Sequence, residues 1–136
     1  MAENGFQTTF MVRRIIFNNK NRQGSFSFAP EISVGFNKVD DRTWETIVNV
    51  KISDKPDQQF PFDLDVVVSL ITNLPNELPK EFVLKDYLKV NSLQILYPYV
   101  RSTVTNITAA ALITPLFLPV ADIAKLAENV QIPGIE

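Results

Sequence analysis

Apolar and polar residues alternate along the first half of the chain and recur at every third or fourth position along the second. Phe6 to Phe17 (FQTTFMVRRIIF) is rich in aromatic and branched residues, which predicts a first strand with Phe10, Val12 and Arg14 on one face and Met11, Arg13, Ile15 and Phe17 on the other. Apolar groups then occupy both faces, as in a strand covered by the core on one side and by a partner subunit on the other. The polar cluster Asn18 to Gly24 turns the chain into a second run, Ser25 to Phe36, whose alternation places Phe26, Phe28, Ile32, Val34 and Phe36 on a common side. Pro30 interrupts that run, which suits an edge position or a bulge. After the turn Lys38 to Arg42, the segment Trp44 to Ile52 (WETIVNVKI) alternates most cleanly of all. Ser53 to Gln59 turns again, and Phe60 to Thr72 begins alternating and ends as a continuous apolar run, as a central strand covered on both faces would. Four consecutive strands joined by short turns predict an antiparallel sheet.

The prolines of Asn73 to Pro79 stop regular structure, and the period then changes. Val83 with Tyr87, and Leu84 with Leu88, sit four apart in a short helix. From Ser92 to Leu112, Leu93, Leu96, Val100, Val104, Ile107 and Ala111 trace one face of a longer helix, with Pro98 either kinking it or marking its start. Pro115 ends it, Leu116 to Leu118 form an extended apolar link, and Val120 to Asn129 reads as a last helix with Ile123, Leu126 and Ala127 facing inward. The expected fold is therefore α+β: a four-stranded antiparallel sheet followed by a short, a long and a C-terminal helix packed on one face, in a single domain spanning residues 1–136 with loose ends at 1–5 and 130–136.

Composition narrows the chemistry. The chain has 136 residues, of which 46% are apolar, and its net charge of −2 is spread over both halves, so nucleic acid finds no basic stripe to hold. Charged residues in the first twenty positions argue against a secretory leader, and the threonines and prolines in the uncharged stretch Ser102 to Ala121 argue against a membrane span. A soluble cytoplasmic protein is expected. Histidine and cysteine are both absent, which removes the commonest general base, metal ligand and nucleophile. Gly5, Gly24, Gly35 and Gly134 lie far apart, so no phosphate loop forms, and Asp40 and Asp41 begin no calcium loop. Asp63 and Asp65 share one face of a strand and are the one pair suited to acid and base roles, but alternating polar residues on an antiparallel strand are ordinarily a solvated or interface face. No enzymatic activity and no cofactor are expected. What remains is apolar surface: ten phenylalanines, three tyrosines and a tryptophan exceed what two helices can cover. That surplus points to a permanent homo-oligomer, and to a groove for extended apolar peptides along it.

One segment resembles a known family. Leu93 to Pro119 (LQILYPYVRSTVTNITAAALITPLFLP) is similar to the helix of the SecB export chaperones, in which a stretch of the type N-x-L-F-P-Y-A-R precedes a helix and a proline-flanked apolar link. Leu96, Tyr97, Pro98, Tyr99, Arg101 and Asn106 match in order and spacing, as does the link from Pro115 to Pro119. Phe10, Val12, Arg14 and Ile15 resemble the family's first strand, Ser27 to Pro30 its following motif and Trp44 to Ile52 its third strand. The resemblance implies a dimer or dimer of dimers and an ATP-independent holdase for unfolded polypeptides. It implies a client groove at Ile32, Val34 and Phe36 with Phe28, Trp44, Leu84 and Leu88, and an oligomer interface at Phe10, Val12, Tyr97, Tyr99, Val100 and Val104. Export members are strongly acidic and dock on the SecA motor through an acidic sheet surface. This chain is nearly neutral and carries Arg13, Arg14 and Arg42 in or near its strands, so it reads as a divergent relative, with SecA left open as a partner. The alternative is an adaptor without general client binding, or a chaperone dedicated to one partner such as an antitoxin.

Overall fold

The computed structural model describes residues 5–22, 30–111, 116–118 and 123–134. Four strands, β1 (Gln7–Asn19), β2 (Glu31–Asp40), β3 (Thr43–Ile52) and β4 (Phe62–Asn73), form one antiparallel sheet in the order β1-β4-β3-β2. The first two strands thus lie at opposite edges: the chain leaves β1 and crosses to the far side before β2, whereas β2, β3 and β4 are successive neighbours. Asp54, in the turn after β3, pins the start of that crossing. Its carboxylate accepts from Lys20 Nζ and Arg22 at 2.8 Å and from the Phe60 N–H at 2.9 Å, while the Lys20 N–H donates to the Pro61 carbonyl at 2.9 Å.

A helical turn α1 (Leu84–Asp86) runs through a π-helical turn (Tyr87–Asn91) into the long helix α2 (Ser92–Ala110), and α3 (Ile123–Ala127) follows. Pro98 does not start α2, which begins at Ser92 and runs through it. It lies on the exposed side, where solvent can hydrate the Gln94 carbonyl that loses its partner. The extended link lies back along α2: Thr105 Oγ1 donates to the Leu116 carbonyl at 2.8 Å, Arg101 Nε to the Leu118 carbonyl at 3.2 Å, and the Leu116 N–H to Thr108 Oγ1 at 2.8 Å. Leu118 is buried and Phe117 points outward.

The core lies between α2 and the even-numbered side of the sheet. Val48 and Val50 of β3 and Leu64, Val66, Val68 and Leu70 of β4 meet Leu93, Leu96, Val100 and Val104 of α2. Alternation in β3 and β4 directly gives this face. The far end of the chain is also tied in: Val130 is half-buried and Ile132 is 4% exposed within the core, so the end expected to be loose from residue 130 is docked at least that far. Leu126 and Ala127 pack inward as expected; the side chain of Ile123 and the first part of the second run, Ser25 to Ala29, lie outside the described residues.

β1 departs from simple alternation. Val12 pairs with Val68 and Arg14 with Val67, so a bulge makes Arg13 an extra residue. Beyond it the phase is reversed: Ile15 pairs with Val66 and Phe17 with Leu64 on the helix side, not opposite Phe10 and Val12 as alternation alone implied. Phe10, Val12, Ile15 and Phe17 therefore share one face, and Met11, Arg14 and Ile16 the other.

Candidate functional site

Two regions hold the residues singled out from sequence. The first is the β2 edge. Register pairs Ile32 with Val50, Val34 with Val48 and Phe36 with Thr46, so the three project to the helix side together. They grade inward: Ile32 and Val34 are half-buried, and Phe36 is buried in the core with Trp44 and Leu88. Leu84, on α1, is half-buried against the same core, and α3 packs on β2. The expected groove set thus divides into half-buried Ile32, Val34 and Leu84 and buried Phe36, Trp44 and Leu88. Phe28 lies outside the described residues. Periodicity put Ile32, Val34 and Phe36 on a common side and the family resemblance named the set, but neither gave the division, because burial depends on where the helices settle.

The second region is the opposite edge. β1 is exposed on both faces, with Val12 49% and Ile15 50% exposed on the helix side and Met11 and Ile16 outward on the other. Phe10 packs on Tyr99 of α2 with ring centroids 3.9 Å apart, and Tyr99 remains 52% exposed. Ile95, one turn earlier on the same helix face, extends this apolar surface and was not singled out from sequence. Three of the six residues expected at an oligomer interface are already used within the chain: Val100 and Val104 have no exposed surface, and Tyr97 is buried beside them, because they form the α2 face that meets the sheet. Phe10, Val12 and Tyr99 remain available.

The face of the sheet away from the helices carries paired charged side chains beside the apolar Met11 and Ile16. The bulge turns two successive arginines onto it. Arg13 Nε donates to Glu45 Oε2 at 2.7 Å, reaching across β4 to β3, and Asn37 Nδ2 donates to the other Glu45 oxygen at 3.3 Å. Glu45 is only 5% exposed; burial pushes its carboxyl up, and hydrogen bonding, with the Asn37 amide and the Arg13 guanidinium as donors, more than offsets this, holding it below the usual range. Asp65 follows the same pattern: burial opposes its ionisation, but Asn49 Nδ2 at 2.7 Å and Arg14 at 3.0 Å keep its carboxyl low. Asp63 does lie on the same face, as expected, and pairs with Lys20 at 2.9 Å. Both carboxylates of the acid and base candidate pair are thus engaged in ion pairs that join strands. Among the described residues no group of three or more metal-ligating side chains comes together, and no helix is long and apolar enough to cross a membrane.

The family model for SecB, preprotein translocase subunit, matches residues 6–131. The chain belongs to the SecB family. An uncharacterized protein of Methanocaldococcus jannaschii is 28% identical over 102 residues, a stretch covering 74% of this chain and 64% of that protein's length. Among solved structures, the Mycobacterium tuberculosis SecB-like chaperone in complex with a peptide from the HigA1 antitoxin superposes with a TM-score of 0.69 at 16% identity, covering 86% of this chain and 91% of that one. A Streptococcus agalactiae protein of unknown function matches with a TM-score of 0.45 at 17% identity, over 88% of this chain and 100% of its own. The SecB-like fold, the four antiparallel strands and the long helix agree with the architecture expected from periodicity and from the Leu93 to Pro119 resemblance. The low identity fits a divergent SecB relative.

Proposed function

We propose that this SecB-family chain is an ATP-independent, cytoplasmic, non-enzymatic chaperone that holds unfolded or partly folded polypeptides. The carrying observation is the helix-side row of β2, where Ile32 and Val34 stay half-buried at the sheet edge above a buried apolar floor. An extended apolar segment laid there loses water-exposed surface against side chains that are already fixed. The exposed set on β1 and α2, Phe10, Val12 and Tyr99, serves self-association into a dimer or dimer of dimers, with Tyr97, Val100 and Val104 supporting it from behind. Aggregation of a chemically unfolded client is the test: suppression at near-stoichiometric ratio is expected, and undiminished aggregation together with no binding of the unfolded client overturns the reading.

A narrower version, a chaperone dedicated to one partner such as an antitoxin, is favoured by the antitoxin peptide bound to the mycobacterial SecB-like chaperone. Suppression for a single client and none for unrelated unfolded proteins would select it. Docking on SecA draws no support from the sheet face, whose acids Glu45, Asp63 and Asp65 are paired with Arg13, Lys20 and Arg14.

A further inference from the structure

The helical segment after β4 and the helix that continues it bury faces that are out of phase. Leu84 is half-buried against the core and Leu88 has no exposed surface, while Lys85, Asp86 and Val90 are exposed. In α2 the inward residues are Leu93, Leu96, Val100 and Val104. Leu93 follows Leu88 by five positions, whereas an α-helical face repeats at three or four. At about 100° per residue, an unbroken α-helix carrying the α2 face backwards would bring Lys89 and Lys85 to the sheet and send Leu84 and Leu88 toward solvent.

The π-helical turn Tyr87–Asn91 lies between the two faces and takes up the surplus position. The Ser92 N–H donates to the Tyr87 carbonyl, five residues back, and so leaves the Leu88 carbonyl that an α-helix would give it. That buried carbonyl accepts from the Ser92 hydroxyl at 2.5 Å instead, and the Thr46 hydroxyl of β3 lies 2.9 Å from the same Ser92 oxygen. Lys85 and Lys89, turned away from the sheet, line a cavity of about 290 Å³ with Glu128 and Ile132, and Lys89 Nζ donates to the Glu128 carbonyl at 3.3 Å. Val90 is 36% exposed and stands outside the core.

We infer that this turn is a positioning device. Its surplus position, filled outward by Val90, sets Leu84 and Leu88 rather than the two lysines against the sheet, and the Ser92 and Thr46 hydroxyls hold it open. It thereby makes the α1 part of the proposed client surface apolar where a plain helix would make it basic. That consequence rests on the holdase reading; the register itself does not.

Deleting Val90 should close the turn into an ordinary α-helix without moving either face, because Tyr87 then stands four residues before Ser92 and Leu88 four before Leu93. The variant is expected to keep its far-ultraviolet circular dichroism and urea midpoint. Deleting the exposed Ser102, which throws Leu93 and Leu96 out of phase with Val104, should unfold the protein. The hydroxyls should matter only while the turn exists: Thr46→Val with Ser92→Ala is expected to lower the midpoint about twice as far in the full chain as after deletion of Val90, where the Leu93 N–H takes the Leu88 carbonyl. A second route exchanges the pairs by Leu84→Lys, Lys85→Leu, Leu88→Lys and Lys89→Leu, which places the apolar pair at α-helical spacing from Leu93 and should likewise remove the need for the hydroxyls. Either variant folded and insensitive to the hydroxyl pair supports the register device. Unfolding of both, or an equal shift with and without Val90, overturns it. Suppression of client aggregation separates the remaining claims. The folded deletion variant should hold an unfolded client as the full chain does, and Leu84→Lys should weaken that hold; indifference to Leu84→Lys overturns the link to the client surface. Absence of suppression by the unaltered protein overturns the holdase reading and leaves the register standing.

Discussion

The hydroxyls of Thr46 on β3 and Ser92 at the start of α2 lie 2.9 Å apart inside the core. Ser92 also donates to the Leu88 carbonyl, so its single hydrogen is committed and Thr46 is the donor to Ser92. This buried pair fixes the π-helical turn and the N-terminal end of α2 against the middle of the sheet. Thr46→Val removes one partner and leaves Ser92 bonded to Leu88, for a cost of about 1 kcal/mol. Ser92→Ala strands the Thr46 hydroxyl and should cost about 1–3 kcal/mol. The double variant is expected to lose less than the sum, read from urea denaturation midpoints; strict additivity would mean that the two hydroxyls do not act together.

Arg13 and Glu45 form the corresponding test on the uncovered face. Arg13→Ala leaves a nearly buried carboxylate without its cation, and about 1–3 kcal/mol of stability should be lost. Adding Glu45→Gln should recover part of that loss in the same denaturation assay.

Asp54 governs the acid limb of stability. Lys20, then the Phe60 N–H and Arg22, hold its carboxyl well below the usual aspartate range. As pH falls the unfolded chain takes up this proton first, so the contribution is complete at neutral pH and is lost progressively below about pH 4. Asp54→Asn should flatten the fall in denaturation midpoint between neutral pH and acid. Lys20 has the opposite sense: the Asp54 and Asp63 hydrogen bonds raise it, so its contribution persists at neutral pH and disappears only in strong alkali.

Core and edge residues should separate by readout. Val100→Ala empties core space and should cost about 2 kcal/mol with the assembly mass by light scattering unchanged. Val12→Lys combined with Tyr99→Lys should leave the far-ultraviolet circular dichroism intact and lower the mass. An unchanged mass would remove β1 and Tyr99 from the proposed interface.

Much of this arrangement could be read from residues alone where one period held throughout an element. Trp44 to Ile52 and the face of Leu93 to Val104 each kept their spacing, and the structure places both as expected. The phase of β1 could not be read, because a bulge at Arg13 costs one residue and leaves no compositional mark; the contact that accompanies it, Arg13 with Glu45, is visible only once β3 lies two strands away. Pro98 left two readings open, a kink in the helix or its start, and only the start is excluded, because α2 begins six residues earlier at Ser92. The division of groove residues into accessible and buried was equally hidden, since Ile32, Val34 and Phe36 share one alternating face and only the packing above them tells them apart.

The strand order has a consequence for how the molecule is made. Phe10 finds its partner at Leu70, 60 residues later in the chain. At ordinary elongation rates of roughly 5–20 residues per second, β1 leaves the ribosome several seconds before β4 exists to receive it. During that interval the aromatic and branched residues of Phe10 to Phe17 have no neighbouring strand to pair with, so the segment that becomes an edge of the finished sheet is the last of its strands to gain a partner.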